Sequence, residues 1–492
     1  MYIVMIASEC APVAKVGGLG DVVFGLSGEL EKQGHGVEII IPKYDCMRYD
    51  HIWGLTVSYQ DLWVPWDNGV VHCTVWFGFV HGRRCFFIEP HSSQNYFNRG
   101  HYYGALDESK RFAFFSKAAL EFMLKTNKRP DIIHCHDWQT GLVPVMLYEI
   151  YKYHGMWNQR VCYTIHNFKH QGIAGPQILW ETGLNNDAYY YHYDRLLDNF
   201  DHTAINFMKG GIVYSNYVNT VSPHHAWEAR HGSESYGLGH TLYIHQNKFG
   251  GILNGIDYHL WNPDTDPLIP YHYSIDNFEN KALNKKALRE RLWLRHDENK
   301  PLIAYVGRLD EQKGVHLIRH GLFYALHRQA QFVLLGSSTE PWINSDFWHL
   351  KHHLNDNPDC HLELGYNEEL AHLIYAGADI IIVPSNYEPC GLTQMIALRY
   401  GTVPVVRGVG GLVSTVFDRD YDQLHPPEER NGYVFYQADY HAIESAMERA
   451  IGLWQYYPEE FKQLAINGMK CDYSWARSVQ DYINVYEYIR HK

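Results

Sequence analysis

The chain opens on Tyr2-Ile3-Val4-Met5-Ile6-Ala7-Ser8 and soon reaches Lys15-Val16-Gly17-Gly18-Leu19-Gly20-Asp21. The first run has the composition of a short buried strand. Beyond the glycines, Val22, Val23, Leu26 and Leu30 recur at helical spacing up to Gly34. His35–Pro42 is then rich in β-branched residues and reads as a second strand. Strand, glycine loop, helix, strand is the opening of a parallel α/β domain. Such a loop leaves backbone N–H groups free at a helix N-terminus, where anions bind, and Lys15 adds a cation beside them. The same glycines also serve as a plain strand-to-helix turn, and the cluster alone does not separate the two uses.

Two common nucleotide motifs are excluded. Gly17-Gly18-Leu19-Gly20 does not fit G-x-G-x-x-G, and the second strand ends in Ile41-Pro42-Lys43 with no carboxylate placed for a ribose. No Gly-Lys dipeptide occurs, so there is no Walker A loop. At 492 residues the expectation is two or three domains, each with its own core. A net charge of −13 argues against a nucleic-acid-binding surface, though it leaves room for a local basic cleft around Lys15. The nine cysteines include no C-x-x-C, which predicts reduced thiols in a cytoplasmic protein and neither a disulfide framework nor a zinc site. We see no signal or transit peptide and no apolar stretch long enough for a membrane.

Along the chain, Trp66-Asp67-Asn68-Gly69 predicts a hairpin, Ser92–Tyr103 a surface loop and Arg111–Leu124 an amphipathic helix. Asp131–Cys135 is a strand running into His136-Asp137-Trp138, and Val161–Ile165 is a strand running into His166-Asn167. Val213–Val221 reads as a further strand. Polar groups thus recur at the carboxyl ends of apolar strands, the edge where open α/β sheets bind ligands. His134 and His136 have strand spacing for a metal pair, but with no third ligand evident they read as a hydrogen-bonded pair. Trp261–Tyr273 is rich in proline and reads as an interdomain connection, with Asp264-Thr265-Asp266 solvated inside it rather than holding a metal.

A second α/β alternation follows: strands at Leu302–Gly307, Phe332–Leu335, Asp379–Val383 and Val403–Val406, with helices at Val315–Arg328, Glu368–Ala376 and Leu392–Tyr400. Two doubly wound domains with a cleft between them is the economical architecture. Two clusters follow strands there. In Arg308-Leu309-Asp310-Glu311-Gln312-Lys313-Gly314, Arg308 and Lys313 flank a turn into a helix, so both can face one phosphate. In Glu388-Pro389-Cys390-Gly391-Leu392-Thr393, backbone donors at a helix start follow a carboxylate suited to sugar hydroxyls or a cationic sugar centre. Cys390 has no partnered histidine in sequence and reads as a packed thiol.

In this order, Lys15–Asp21, His134–Trp138, Thr164–Asn167, Leu253–Asp257, Arg308–Gly314 and Glu388–Thr393 resemble the bacterial glycogen synthase and plant-type starch synthase family, glycosyltransferase family 5. Lys-Val-Gly-Gly at Lys15–Gly18 is similar to the starch synthase III/IV subgroup and its cyanobacterial relatives. The resemblance covers essentially the whole chain. It implies a GT-B fold, with Rossmann-like domains at 1–252 (acceptor side) and 253–474 (donor side), and a last helix, 475–492, crossing back to the first domain. It implies transfer of glucose from ADP-glucose to the non-reducing end of an α-1,4-glucan or malto-oligosaccharide, with retention of configuration; no cofactor is expected beyond the donor, and the residues predict no catalytic metal. By matching motifs, it places Lys15, Gly18 and Asp21 at the diphosphate and acceptor side. Asp137, His166 and Asn167 fall around the transferred glucose, with Asn254 assisting. Arg308 and Lys313 bind the diphosphate; Glu388, Cys390, Gly391, Leu392 and Thr393 cradle glucose and phosphate; Tyr366 stacks near the adenine. Two other readings compete: a glucan-binding or priming scaffold with little activity, and a GT-B transferase with another donor or a small-sugar acceptor. The first predicts loss of a charged site residue, and Lys15, Asp137, His166, Arg308, Lys313 and Glu388 are all present.

Overall fold

The apolar run at the start of the chain forms β1 (Tyr2–Ile6), the middle strand of a nine-stranded sheet. The computed structural model describes every residue from Met1 to Lys492. The chain divides into two units, Met1–Gly255 with Trp475–Lys492, and Ile256–Ser474.

In the first unit, α1 (Gly18–Lys32) connects β1 to β2 (Gly36–Pro42). Then come β3 (Ile52–Trp66), β4 (Gly69–Val80) and β5 (Arg83–Pro90), the helix α2 (Glu108–Lys125), β6 (Ile132–His136), β7 (Arg160–Ile165), β8 (Tyr217–Thr220) and β9 (Phe249–Gly251). The sheet order is β9-β8-β7-β6-β1-β2-β5-β4-β3. All pairings are parallel except β3 with β4 and β4 with β5. β1 pairs with β2 on one side (Ile3 opposite Val37) and with β6 on the other (Ile3 opposite Ile132). Ile3 to Ile6 are all buried, because helices cover both faces of a parallel sheet. The strand order reverses between β1 and β6, so the loops leaving their carboxyl ends border the crevice where such sheets bind ligands.

The second unit repeats the plan with β10 (Leu302–Arg308), β11 (Gln331–Ser337), β12 (Cys360–Leu364), β13 (Ile380–Val383), β14 (Val403–Arg407) and β15 (Tyr433–Phe435), in the order β12-β11-β10-β13-β14-β15. Every pairing is parallel. Its reversal falls between β10 and β13, which send out the loops holding Arg308–Gly314 and Pro384–Leu392. These loops lead into α3 (Val315–His327) and α5 (Thr393–Arg399), with α4 (Glu368–Gly377) between them in sequence. The last helix, α6 (Trp475–Arg490), belongs to the first unit, where Tyr482, Tyr486 and Ile489 are buried. No helix is long and apolar enough to cross a membrane.

The hairpin forms as its turn chemistry requires: Trp66 faces Gly69 across Asp67 (φ 50°) and Asn68 (φ 59°), residue types that tolerate the left-handed region. Three expectations are corrected. Val213–Val221 is not one strand. A helix from Phe207 to Tyr214, capped by the Asn206 side chain on the Lys209 N–H, takes the first part, and β8 begins at Tyr217. Ser92–Tyr103 is a surface loop, as expected, and it is anchored: Tyr96 and Phe97 are buried, and the fully buried Arg111 guanidinium donates to the Tyr96 and Tyr102 carbonyls. The proline-rich segment Trp261–Tyr273 does not connect the units but lies inside the second, where Tyr273 is buried and donates to the Tyr400 carbonyl. Asp266 is not solvated either; it accepts from His372 Nδ1 (2.7 Å), Tyr400 (2.6 Å) and the Leu268 N–H (2.9 Å). Burial pulls its pKa up, but these bonds outweigh that and hold it below the usual carboxylate range.

Candidate active site

Glu9 follows β1 and organises the glycine loop. Its buried carboxylate accepts the Val16 N–H (2.7 Å) and the Gly17 N–H (3.1 Å) through Oε2, and the Tyr103 hydroxyl (2.7 Å) through Oε1. This corrects the simple anion cradle: two of the loop's N–H groups already serve a carboxylate. The first-turn donors of α1, from Gly18 onward, lie beyond them. A Cβ at Gly17 or Gly18 would meet nothing within 4 Å, and neither has a positive φ. The fold therefore does not require glycine there. Lys15 Nζ lies 2.8 Å from Asp21 Oδ1, both partly exposed. Burial raises the Asp21 pKa, and Lys15 opposes that rise.

Asp137 leaves β6 with φ 55° and ψ −178°, a conformation that is almost exclusively glycine's. Its Oδ1 accepts the backbone N–H of His166 (2.7 Å) and of Asn167 (3.3 Å), and its own N–H donates to the Thr164 carbonyl (2.9 Å). The structure thus joins Asp137, His166 and Asn167 in one cluster across β6 and β7. Burial pushes the Asp137 carboxyl up to about 7 against the pull of these two N–H groups. Burial also drops His166 to about 3, so its ring is neutral. The Asn167 side chain accepts from the Lys169 N–H (2.9 Å) and shapes the following turn. Asn254, after β9, is buried, and its Oδ1 has no hydrogen-bond partner.

In the second unit, Lys313 Nζ lies 2.5 Å from Glu388 Oε2, which also accepts from Ser385 Oγ (2.9 Å). Glu388 is only 6% exposed, so this is a close, desolvated pair rather than a surface bridge. Arg308, well exposed, pairs with Asp310 (2.9 Å), whose other oxygen caps the Lys313 N–H (2.8 Å). The structure therefore brings Arg308, Lys313 and Glu388 to one sheet edge, with each cation oriented by a carboxylate. Cys390 is buried at the turn into α5, and Gln394 Nε2 holds the carbonyls of Cys390 (3.0 Å) and Gly391 (2.9 Å). Leu392 is the cap residue of α5, and Thr393 opens it. Tyr366, 86% exposed, stands between β12 and α4.

The reading of the sequence passed over the support of this loop. Gly410 sits at φ 47°, and a Cβ there would lie 1.9 Å from the Glu388 carbonyl. A Cβ at Gly411 would lie 1.9 Å from the Cys390 carbonyl, and the Gly411 N–H donates to the Glu388 carbonyl (3.0 Å). The signal was present in Gly408-Val409-Gly410-Gly411, directly after β14. For Glu9 it was a lone carboxylate at the end of an apolar strand.

Comparison with known proteins agrees with this geometry. The chain matches the family described as starch synthase catalytic domain over residues 2–244, and glycosyl transferases group 1 over residues 289–467. It is 69% identical to glycogen synthase 1 of Synechococcus sp. (strain JA-3-3Ab) over 492 residues, covering 100% of both chains. It is 70% identical to probable glycogen synthase 2 of Synechocystis sp. (strain ATCC 27184 / PCC 6803 / Kazusa) over 490 residues, again covering 100% of both. The catalytic domain of starch synthase IV from Arabidopsis thaliana, solved bound to ADP and acarbose, superposes with TM-score 0.95 at 43% identity, covering 100% of this chain and 99% of that one. Sucrose-phosphate synthase from Thermosynechococcus elongatus, at 19% identity and TM-score 0.61 over 99% of this chain and 98% of that one, shares the fold alone. With two parallel α/β units of GT-B type and full-length identity to glycogen synthases, this chain belongs to the glycogen synthase and starch synthase family of glycosyltransferases.

Proposed function

We propose that this protein elongates α-1,4-glucan, transferring glucose from ADP-glucose to the non-reducing end with retention of configuration. The observation that carries the reading is the Lys313–Glu388 pair at 2.5 Å on the edge that the fold reserves for ligands. The neighbouring starch synthase IV was solved with ADP and acarbose, a nucleoside diphosphate and a glucan-like oligosaccharide.

The chemistry follows from charge. The bond between the anomeric carbon and phosphate breaks, a bond to the acceptor hydroxyl oxygen forms, and the hydroxyl proton passes to the departing phosphate on the same face. Negative charge grows on the diphosphate, and Arg308 and Lys313 stabilise it as preorganised cations with the donors at the start of α5. Positive charge grows at the anomeric carbon, beside Glu388. Asp137, His166 and Asn254 offer acceptors and a neutral ring to sugar hydroxyls. Lys15 and the open approach at Gly18 suit an anionic substrate group in the first unit. We place the reaction in the cytoplasm, a reading supported by the absence of any disulfide among the nine cysteines.

The test is incorporation of labelled glucose into malto-oligosaccharide from ADP-glucose or UDP-glucose, with and without EDTA. Transfer that prefers ADP-glucose and survives the chelator is expected. Transfer from neither donor to any glucan would overturn the reading, and a requirement for metal would overturn its account of charge.

A further inference from the structure

The first unit holds a row of three histidines of which only the last, His166, is half-buried; His134 and His136 are fully buried. The rings of His134 and His136 lie 4.1 Å apart, and His136 Nδ1 lies 3.1 Å from His166 Nε2. Their protons can be assigned by working inward from a fixed acceptor. Asn219 donates through Nδ2 to the Thr220 carbonyl (3.3 Å), so its Oδ1 accepts, and Thr164 Oγ1 donates to it at 2.9 Å. That bond uses the single hydroxyl proton of Thr164. Thr164 Oγ1 therefore accepts from His134 Nε2 at 2.7 Å. Burial keeps His134 neutral, with a pKa near 3. Its Nδ1 is then a lone pair, filled by the Tyr486 hydroxyl of α6 at 2.8 Å.

His136 is also held neutral by burial, and its Nε2 is buried with no hydrogen-bond partner. A proton there would be an orphaned N–H, which costs more than an orphaned lone pair. The proton therefore sits on Nδ1 and is donated to His166 Nε2. His166 is neutral, so its own proton sits on Nδ1, which takes no partner within the chain.

We propose that His136 is a positioning residue: it fixes His166 as the Nδ1–H tautomer, so that His166 meets the transferred sugar as a hydrogen-bond donor to a hydroxyl oxygen. The proposal rests on the reading that His166 contacts that sugar. The opposite tautomer would offer only a lone pair, so the choice decides which substrate group is recognised.

The test compares ADP-glucose-dependent elongation of malto-oligosaccharide by wild type, His136→Asn, His136→Gln, His166→Ala and the double variant His136→Gln/His166→Ala, with thermal melting of each. An asparagine amide overlays the Nδ1 position, and a glutamine amide overlays Nε2. His136→Asn should stay within about threefold of wild type. His136→Gln should lose about tenfold or more in kcat, the worth of one misdirected hydrogen bond. It should leave the acceptor KM unchanged, and the double variant should be no worse than His166→Ala. In proteins carrying 15N-histidine, the ring signals lost in His166→Ala should show a protonated Nδ1 and a bare Nε2. The opposite tautomer, a His136→Gln enzyme as fast as wild type, or losses that multiply in the double variant would each overturn the proposal. A fully active His166→Ala would instead defeat the assignment of His166 to the sugar. A wild type that uses no nucleotide sugar would defeat the synthase reading, while the ring spectrum would still decide the tautomer.

Discussion

Asp137 combines a backbone conformation that suits glycine with a carboxyl that burial lifts to about 7. Both are costs to the folded state, and they fall on a residue that anchors the His166 and Asn167 N–H groups. The sign of the pH effect follows from linkage. The folded pKa of about 7 stands above the ordinary 3.8. From about pH 4 to 7, the unfolded chain has released a proton that the folded chain retains, so this group lowers stability as pH rises and its effect levels off above 7. Asp137→Asn keeps an acceptor and tolerates the positive φ, but it cannot ionise. Melting between pH 5 and 8 should show the variant gaining on wild type as pH rises; a constant difference, or a variant that loses ground as pH rises, would contradict the account. At this scale the sequence displayed the charged side chains, because Lys15, Arg308, Lys313 and Glu388 stand in short motifs beside strand ends. It did not display their partners. Glu9 matters through the N–H groups of residues 16 and 17, and His136 through a ring 30 positions away, contacts that only the folded sheet creates.

The loops at the two strand-order reversals, with the loop after β14 that supports one of them, do the positioning, and their glycines divide into two kinds. Gly410 is required by the fold, since its φ is positive and a Cβ would collide with the Glu388 carbonyl. Gly18 is not, since a Cβ there meets nothing. Gly410→Ala should cost about 1–3 kcal/mol in denaturant unfolding, the range for forcing atoms into a packed site, and should lower transfer by displacing Glu388. Gly18→Ala should unfold like wild type yet transfer poorly. Equal stability of the two variants would contradict this division. Elements with strong local signals were readable: the Asp67-Asn68 hairpin, α1 with its apolar stripe, and the buried strands of the second unit. The misread elements were those decided by distant partners. Ile212, Val213 and Tyr214 are as apolar as a strand, but Asn206 starts a helix before them. Asp266 looks solvated in sequence until His372 and Tyr400 close on it.

For the molecule as a whole, one plan is used twice. Each unit is a parallel sheet whose order reverses once, and each carries its cations in the loops at that reversal. Period and composition announced that plan, because parallel strands buried on both faces read as continuous apolar runs. The units' boundaries at Gly255 and Ser474 carry no such pattern. With a net charge of −13, the chain as a whole repels a nucleotide sugar, so binding an anion depends on these few local cations. The central claim is that protein cations, above all Lys313, stabilise the departing diphosphate. It is tested most directly by kcat for glucose transfer from ADP-glucose to malto-oligosaccharide, in the presence of EDTA, for wild type and Lys313→Ala. The account predicts full wild-type activity with the chelator and a loss of about 10²–10³ in kcat for the variant, the worth of one preorganised group at a developing charge. A Lys313→Ala enzyme as fast as wild type, or a wild type silenced by EDTA, would contradict it.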